Sequence, residues 1–339
     1  MKAHTGNILD YKTYSYLNVN EVGVEGTEVR GEEQASAAEV FKEYDYGISK
    51  EMVELHDTSS TIAKQYNITC AKDLGVHRLD GDEDEIVTLD FNVAENARLT
   101  GYFASRKKAG YRSALVRIHV KKNAVARLYF VNMDESEVAN YLSLGAIVEE
   151  GAKLDCYIFH MGDGDETSSV KCYLKGENAL GNIQSIYLGK GGQSYDLVYD
   201  MIHEGIDTTS NLVVDGALMD NAYKVFKSRI DFLEGSKHSR GNEEEFAILL
   251  DSTARSLSVP ALLSHEDDVE GNHAASAGRI DQDMLFYFLT RGFDEKTAER
   301  MIIDAKFAPV IDAVVYENER AMIYEQLETI LRRRENVTA

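Results

Sequence analysis

Through the middle of the chain, apolar and polar residues alternate in short runs, with no long helical stripe between them. Residues 86–89, 114–118, 125–130, 196–199 and 211–214 are rich in Val, Ile, Leu and Tyr, and most step between apolar and polar positions. A half-buried strand requires that two-residue period, because successive side chains leave opposite faces. Glycines punctuate the runs at Gly151, Gly176, Gly191 with Gly192, Gly216 and Gly235. Their spacing of about 15–25 residues suits the coils of a β-solenoid, whose repeats bury their faces only by stacking. A β-sandwich asks for turns every ~8–12 residues. The spacing is irregular, so it favours the solenoid without eliminating the sandwich. A βαβ sheet is not expected, since no convincing helix separates the strands.

The two ends read differently. Ser36 and Ser49 each stand ahead of a Glu and an apolar stripe, the pattern of a helix start. Two short helices are expected, near 34–45 and 49–65. At the other end, Asp281 is placed to cap residues 284–289, with Gly292 just past the last turn. Asp294 then caps a helix over 295–306, with Ala298, Met301, Ile302 and Ala305 at helical spacing. Pro309 is expected to break that helix or to start the next. A last helix, about 311–334, ends in Arg332, Arg333 and Arg334, which suits the negative end of its dipole. The expected organisation is a helical and irregular segment (1–74), a β-rich core (75–279) and a helical C-terminal segment (280–339).

Composition narrows the function. The chain has 339 residues, 44% of them hydrophobic, enough for a substantial core. It carries 58 Asp and Glu against 36 Lys and Arg, a net charge of −22. Phosphate backbones and anionic membrane surfaces repel such a surface, so neither nucleic acid nor membrane is an expected partner. A basic protein patch or a metal ion remains compatible. No apolar stretch approaches the ~18 residues of a membrane span, and Met1 to Asp10 lack the apolar run of a secretory signal. Three cysteines, Cys70, Cys156 and Cys172, do not make a disulfide framework, so a reducing, cytoplasmic setting is expected.

The informative stretch is 263–281, Leu-Ser-His-Glu-Asp-Asp-Val-Glu-Gly-Asn-His-Ala-Ala-Ser-Ala-Gly-Arg-Ile-Asp. Its acidic Asp267-Asp268-Val269, the His273-x-Ala275 motif closing at Gly278, the acidic cap at Asp281, and Leu285-Phe286-Tyr287 followed by Arg291-Gly292 resemble the signature of the SufB/SufD family of iron–sulfur cluster assembly proteins. The helix from Asp294 to Ile303 resembles the family's next helix. Residues 148–154 resemble its Glu-Glu-Gly-Ala-x-Leu turn, and 216–228 a further coil, with Ser228 where Gly is usual. The resemblance runs from about 140 to 306. Before 110 it is thin, with a distant likeness at 14–20, beginning at Tyr14.

The resemblance implies a mainly β fold: a right-handed β-helix (β-solenoid) core with short α-helical N-terminal and C-terminal segments. It also implies a non-catalytic scaffold subunit. Such a subunit dimerises through its β-helix with a SufB-type protein or with itself, and docks the ABC-type ATPase SufC through its helical tail. This chain has no GxxxxGK[ST] loop of its own, in keeping with a role that leaves ATP to the partner. The scaffold member SufB carries a ligand Cys just before an Asp-Ser-like pair; here the pair is Asp251-Ser252 and Leu250 stands in the thiol's place. That favours a SufD-type member over a homodimeric SufB-type scaffold. A polysaccharide-active β-helical enzyme is the rival from another class.

His273 is the candidate iron or cluster ligand, for a transient Fe–S cluster or iron shared with a partner, since imidazole is an ordinary iron ligand. The plain alternative is a structural histidine at the strand-to-helix corner. Cys156 and Cys172, with His160, are the alternative metal ligands if adjacent coils bring them together; small buried core residues are the plainer account. Cys70 stands alone and is expected to be structural. His203 and His265 are expected to be solvated, as are the acidic runs 80–85 and 162–166, which lack a calcium-loop frame. Leu285, Phe286, Tyr287, Arg291 and Phe293 are the candidate ATPase-docking residues. Further apolar residues of the tail, Phe288, Leu289, Ile302, Ile303 and Phe307, either join them or pack on the solenoid.

Overall fold

The computed structural model describes residues 3–337 other than 10, 12, 14, 28 and 136, and the side chains of 3, 15 and 333–337 also lie outside that description. Tyr14 of the distant likeness, Met1, Lys2 and Asp10 of the N-terminal reading, and the side chains of Arg333 and Arg334 thus lie outside the described residues.

The chain opens with a small antiparallel pair, β1 (Ala3–Gly6) and β2 (Val22–Glu25), a 3₁₀ turn at Glu39–Glu43, and α1 (Lys50–Ser59). Eight coils of two strands follow. The first four are β3 (Ile62–Ile68) with β4 (Ala71–Arg78), β5 (Glu85–Val93) with β6 (Arg98–Ser105), β7 (Arg112–Val120) with β8 (Val125–Asn132), and β9 (Asn140–Val148) with β10 (Lys153–His160). The last four are β11 (Glu166–Leu174) with β12 (Leu180–Gly189), β13 (Ser194–His203) with β14 (Thr209–Leu218), β15 (Tyr223–Phe232) with β16 (Arg240–Leu249), and β17 (Arg255–Ser264) with β18 (Glu270–Gly278). Three helices close the chain: α2 (Gln282–Thr290), α3 (Glu295–Ile311) and α4 (Glu317–Val337).

Odd strands from β3 to β17 form one eight-stranded sheet and even strands from β4 to β18 the other. Every pairing within them is parallel and joins a strand to the one two places later. That register is a coil, not a sandwich, and it makes the fold the expected β-solenoid. An asparagine ladder on the outer face of the even sheet marks the repeat. Asn182 donates to Asp155, Asn211 to Asn182, Asn242 to Asn211 and Asn272 to Asn242, in steps of 27, 29, 31 and 30 residues.

Strands covered on both faces read as nearly continuous apolar runs. Inside the coil, Leu89, Val116, Leu128, Leu144, Leu154 and Leu197 are buried at 0–3% exposure. The outer face of the even sheet carries Tyr129, Phe159 and Ile186, and Ile303, Phe307 and Leu327 of the tail helices close over it. The outer face of the odd sheet is covered by the N-terminal segment, through Phe41, Tyr46, Ile48 and Met52. Arg117, fully buried, ties that segment down with ion pairs to Asp90 at 2.6 Å and Asp57 of α1 at 2.7 Å.

Several expectations shift in the structure. Ser49 caps α1 as expected, its Oγ accepting from the Met52 N–H at 3.2 Å, but that helix ends at Ser59 and Ile62 already begins a strand. The turn that follows Ser36 starts at Glu39 with no side-chain cap. Gly216 lies inside β14, not at a turn; a Cβ there would fall 1.9 Å from the Tyr187 ring. Asp281 and Asp294 cap α2 and α3, and Gly292, at φ +90°, follows α2 as expected. Pro309 neither breaks nor starts a helix. It sits in the final turn of α3, where its missing N–H costs a single bond to the preceding turn. The last helix runs Glu317–Val337 instead of 311–334.

Two buried histidines act as pH-sensitive pins. His56 of α1 meets Thr88 at 3.0 Å and Ser113 at 2.8 Å. His203 lies inside the coil between Thr208 at 2.6 Å and Ser210 at 2.8 Å, not on the solvated exterior. Burial, aided for His56 by the Arg117 charge, pushes both pKa values from 6.5 down to about 3. The unfolded chain takes up these protons below pH 6.5, the folded chain only near pH 3. Stability is therefore fully present above pH 6.5 and falls as pH drops from 6.5 toward 3, by about 1.4 kcal/mol per unit for each histidine. Denaturant midpoints between pH 7 and 4.5 should show a slope that His56→Asn flattens by one proton. An unchanged slope would show that His56 titrates alike in both states.

Candidate functional site

The chemistry gathers where the solenoid ends. Along one column of the even sheet, the register places Leu128, Cys156, Ile183, Leu212, Glu243 and His273 one above the next. All face the interior, because Leu128, Cys156, Ile183 and Leu212 are core residues and alternation is kept along the stack. The column is thus apolar or thiol for four coils, then acid, then imidazole. Glu243 is 1% exposed, while His273, on the last coil, is exposed.

Two carboxylates of β16 show how different that interior is from the rest. Glu245 accepts from Lys224 at 2.5 Å, Ser258 at 2.7 Å and Tyr187 at 3.3 Å, a satisfied ion pair with both side chains fully buried. Burial lowers the Lys224 pKa against the pull of Glu245. Glu243, two residues earlier on the same face, accepts among the described residues from Ser228 Oγ alone, at 2.5 Å on Oε1. Its Oε2 is buried with no hydrogen-bond partner. Burial raises its pKa to about 7, with the neighbouring charges of Glu245 and Asp200 adding to the rise.

Backbone polarity sharpens the end. In β18, Glu270 N–H bonds back to Ser239 at 2.9 Å, so the even residues pair with β16 and the amides of Gly271, His273, Ala275 and Ala277 face outward. In β17, Arg255 N–H bonds back to Ala222 at 3.0 Å and His265 N–H to Phe232 at 2.8 Å. The even positions of β17 therefore face the open edge, Pro260 among them. Both final strands are edges of their sheets.

The other candidates fall elsewhere. Cys156 and Cys172 lie on β10 and β11 in the apolar interior, fully buried; burial raises both thiols, Cys172 to about 12, so each is held as thiol. They lie on adjacent coils but on opposite sheets, facing across the interior instead of stacking, near enough for Cys172 to add to the rise of Cys156. His160 is engaged apart from them, with Glu166 at 3.2 Å and Tyr199 OH at 3.0 Å. Glu166 is buried there, not in a solvated turn, beside a cavity of about 70 Å³ also lined by Arg112 and Asn132. Cys70 is exposed between the first two strands of the solenoid, so it is not a core residue. His265 is exposed, 3.8 Å from Asp231. Among the described residues no three His, Cys, Asp or Glu side chains are grouped to hold a metal ion.

On α2, Phe286 is 67% exposed, with Tyr287, Met284 and Leu289 also open to solvent, as is Phe293 in the link to α3. Arg291 lies over the Tyr287 ring at 5.1 Å. Leu285 points the other way, into the cluster beneath the tail helices. Leu250, the residue in the place of a family thiol, follows β16 and packs partly buried against that same cluster. None of the described helices is long and apolar enough to cross a membrane.

Residues 86–306 match the family model of the SufBD core domain of SUF-system FeS cluster assembly. The chain belongs to that family. The iron–sulfur cluster assembly protein SufD of Bacillus subtilis is 29% identical over 194 residues, 57% of this chain and 44% of that protein. The iron–sulfur cluster assembly protein SufB of the same organism is 27% identical over 191 residues, 56% of this chain and 41% of that one. A SufBD family protein of Staphylococcus epidermidis matches at 27% over 191 residues, again 56% and 41%. The match spans less than half the length of these curated relatives. The family model covers the coils from β5 onward and stops within α3, so it includes the open end and α2.

Sequence reasoning named His273 but missed Glu243. The signal was present as a repeat, Gly-Asn-Ile at 181–183, Gly-Asn-Glu at 241–243 and Gly-Asn-His at 271–273, in which the residue after Asn faces the interior. Thiol reactivity tests the burial pattern. An alkylating reagent should label one cysteine of the native chain, Cys70, and all three after denaturation, read by mass. Labelling of Cys156 or Cys172 in the native chain would refute it.

Proposed function

We propose that this SufBD-family protein is a non-catalytic, SufD-type subunit of the SUF scaffold. Its last coil meets a sister solenoid, of SufB type, and its tail docks the SufC-type ATPase. The observation that carries the reading is the open last coil: two edge strands, with His273 exposed at their centre and outward-facing amides on either side. Paired edges offer main-chain hydrogen bonds to an added strand. The carboxylate-rich interior beneath His273 gives the shared face chemistry that suits iron.

Docking of the ATPase is assigned to α2. Phe286, Tyr287 and Phe293 form an aromatic group exposed beside Arg291, the residue types that dominate binding interfaces. Leu285 supports that helix from below and does not face a partner. Leu250 in place of a thiol supports the SufD-type role over a homodimeric SufB-type scaffold. Three cysteines without a disulfide support a cytoplasmic setting.

Co-purification with the ATPase tests the docking face. Phe286→Asp should reduce retained ATPase at least tenfold, the loss of one aromatic anchor, while thermal stability stays within the ~0.5 kcal/mol of an ordinary surface change. Undiminished retention would move the docking face away from α2.

A further inference from the structure

We propose that α4 is a clasp on the first coil of the solenoid, and that through it the tail links α2 to the opposite end of the rod, so that docking at one end is felt at the other. The link to docking rests on reading α2 as the ATPase-binding helix; the clasp itself does not.

The tail runs back along the outer face of the even sheet, from the last coil to the first. α2 begins just past β18 and sets Leu285 into the cluster on that face. In α3, Lys306 pairs with Asp215 of β14 at 3.0 Å and lies 4.8 Å from the centre of the Phe246 ring of β16. Beyond α3, the Ala313 carbonyl accepts from Tyr129 OH of β8 at 2.8 Å, and the Tyr316 ring meets that of Tyr102 in β6 at 5.8 Å. The first coil comes last. Tyr316 OH donates to Asp73 of β4, and Arg78 of β4 donates to both carboxylate oxygens of Glu319 in α4, each at 2.7 Å. With 17 residues, α3 is about 25 Å long, roughly five strand spacings of ~4.8 Å, so one helix bridges most of the rod.

The clasp falls where the solenoid is weakest. Of residues 62–78 only Ile68 is buried, whereas β10 and β13 are buried along nearly their whole length. A bulge between Asp73 and Val76, with Gly75 at φ +73°, interrupts the pairing of β4. A terminal coil has one neighbour instead of two, and segments with few buried apolar contacts open first. Against this, Glu319 is only 6% exposed, so its pairing with Arg78 is a strong tie for so exposed a strand.

The tail is built to transmit. Leu285 of α2, Ile303 and Phe307 of α3, and Ile323 and Leu327 of α4 belong to one apolar cluster, and close-packed helices pass a displacement on instead of absorbing it. Arg78 and Glu319 both lie outside the 86–306 matched by the family model, so the family match does not supply the clasp. The coupling is reciprocal: what docking at α2 does to the first coil, release of the first coil does to docking.

Hydrogen exchange of the full chain, read by mass spectrometry, tests this, with residues 141–174 as the internal standard for an intact rod. Arg78→Met and Glu319→Gln should each speed exchange across 62–78 about tenfold and leave the standard unchanged. Leu285→Ala, which loosens α2 at the other end, should also speed exchange across 62–78. Combined with Glu319→Gln it should add nothing there, because the clasp is already open. Should Leu285→Ala disturb the standard, Phe288→Ala on the same helix replaces it. Wild-type exchange across 62–78 in both Arg78→Met and Glu319→Gln would overturn the clasp. A first coil untouched by the α2 variant, or a further independent rise in the double variant, would overturn the link. Capture of the ATPase is scored on the same preparations. Wild type that captures none while both exchange results hold refutes the docking reading alone; intact capture with neither exchange result refutes the clasp and link alone.

Discussion

Everything in this molecule depends on parallel pairing between strands one coil apart. Each strand's hydrogen bonds go to the strand a turn before and the strand a turn after. No coil can close its own backbone, so stability accumulates by stacking and the two terminal coils are left incomplete. The same register puts residues about thirty positions apart into direct contact and sorts every side chain to the interior or to a flank. The flanks are then covered, one by the N-terminal segment and the other by the tail helices, which leaves the ends as the places where backbone and side chains meet solvent.

The interior changes character along its length. Early coils are filled with Leu, Val, Ile and Phe. Farther along, His203 with its hydroxyl neighbours, the Lys224–Glu245 pair and then Glu243 take their place. Buried polar groups lower stability unless each is satisfied. The satisfied ones fasten the coils together, and the half-satisfied Glu243 lies against the exposed coil. Local conflicts of this kind concentrate where a structure has something to do.

How much was visible in the sequence depends on how local each signal is. Helix caps rest on three or four neighbouring residues, so Ser49, Asp281 and Asp294 could be read directly. Alternation located most strands, and the motif around His273 located the family. The interior could not be read, because Glu166 and His203 are polar residues whose burial is decided by strands two places away. Gly216 looked like a turn because its reason for being glycine, the Tyr187 ring, belongs to another coil. Glu243 was hidden for the same reason: its partner is thirty residues distant in the chain and one rung away in space.

Pro260 gives the open end a further property. It sits midway along the terminal strand of the odd sheet, and its nitrogen, which carries no hydrogen, faces away from β15. The sheet behind it loses nothing. Ahead of it, the run of donors is interrupted, so a stack of these rods cannot grow into an uninterrupted fibre through that strand. A protein built on endlessly repeatable geometry thus carries, in a single pyrrolidine ring, a break in the donors of one of its two open edges.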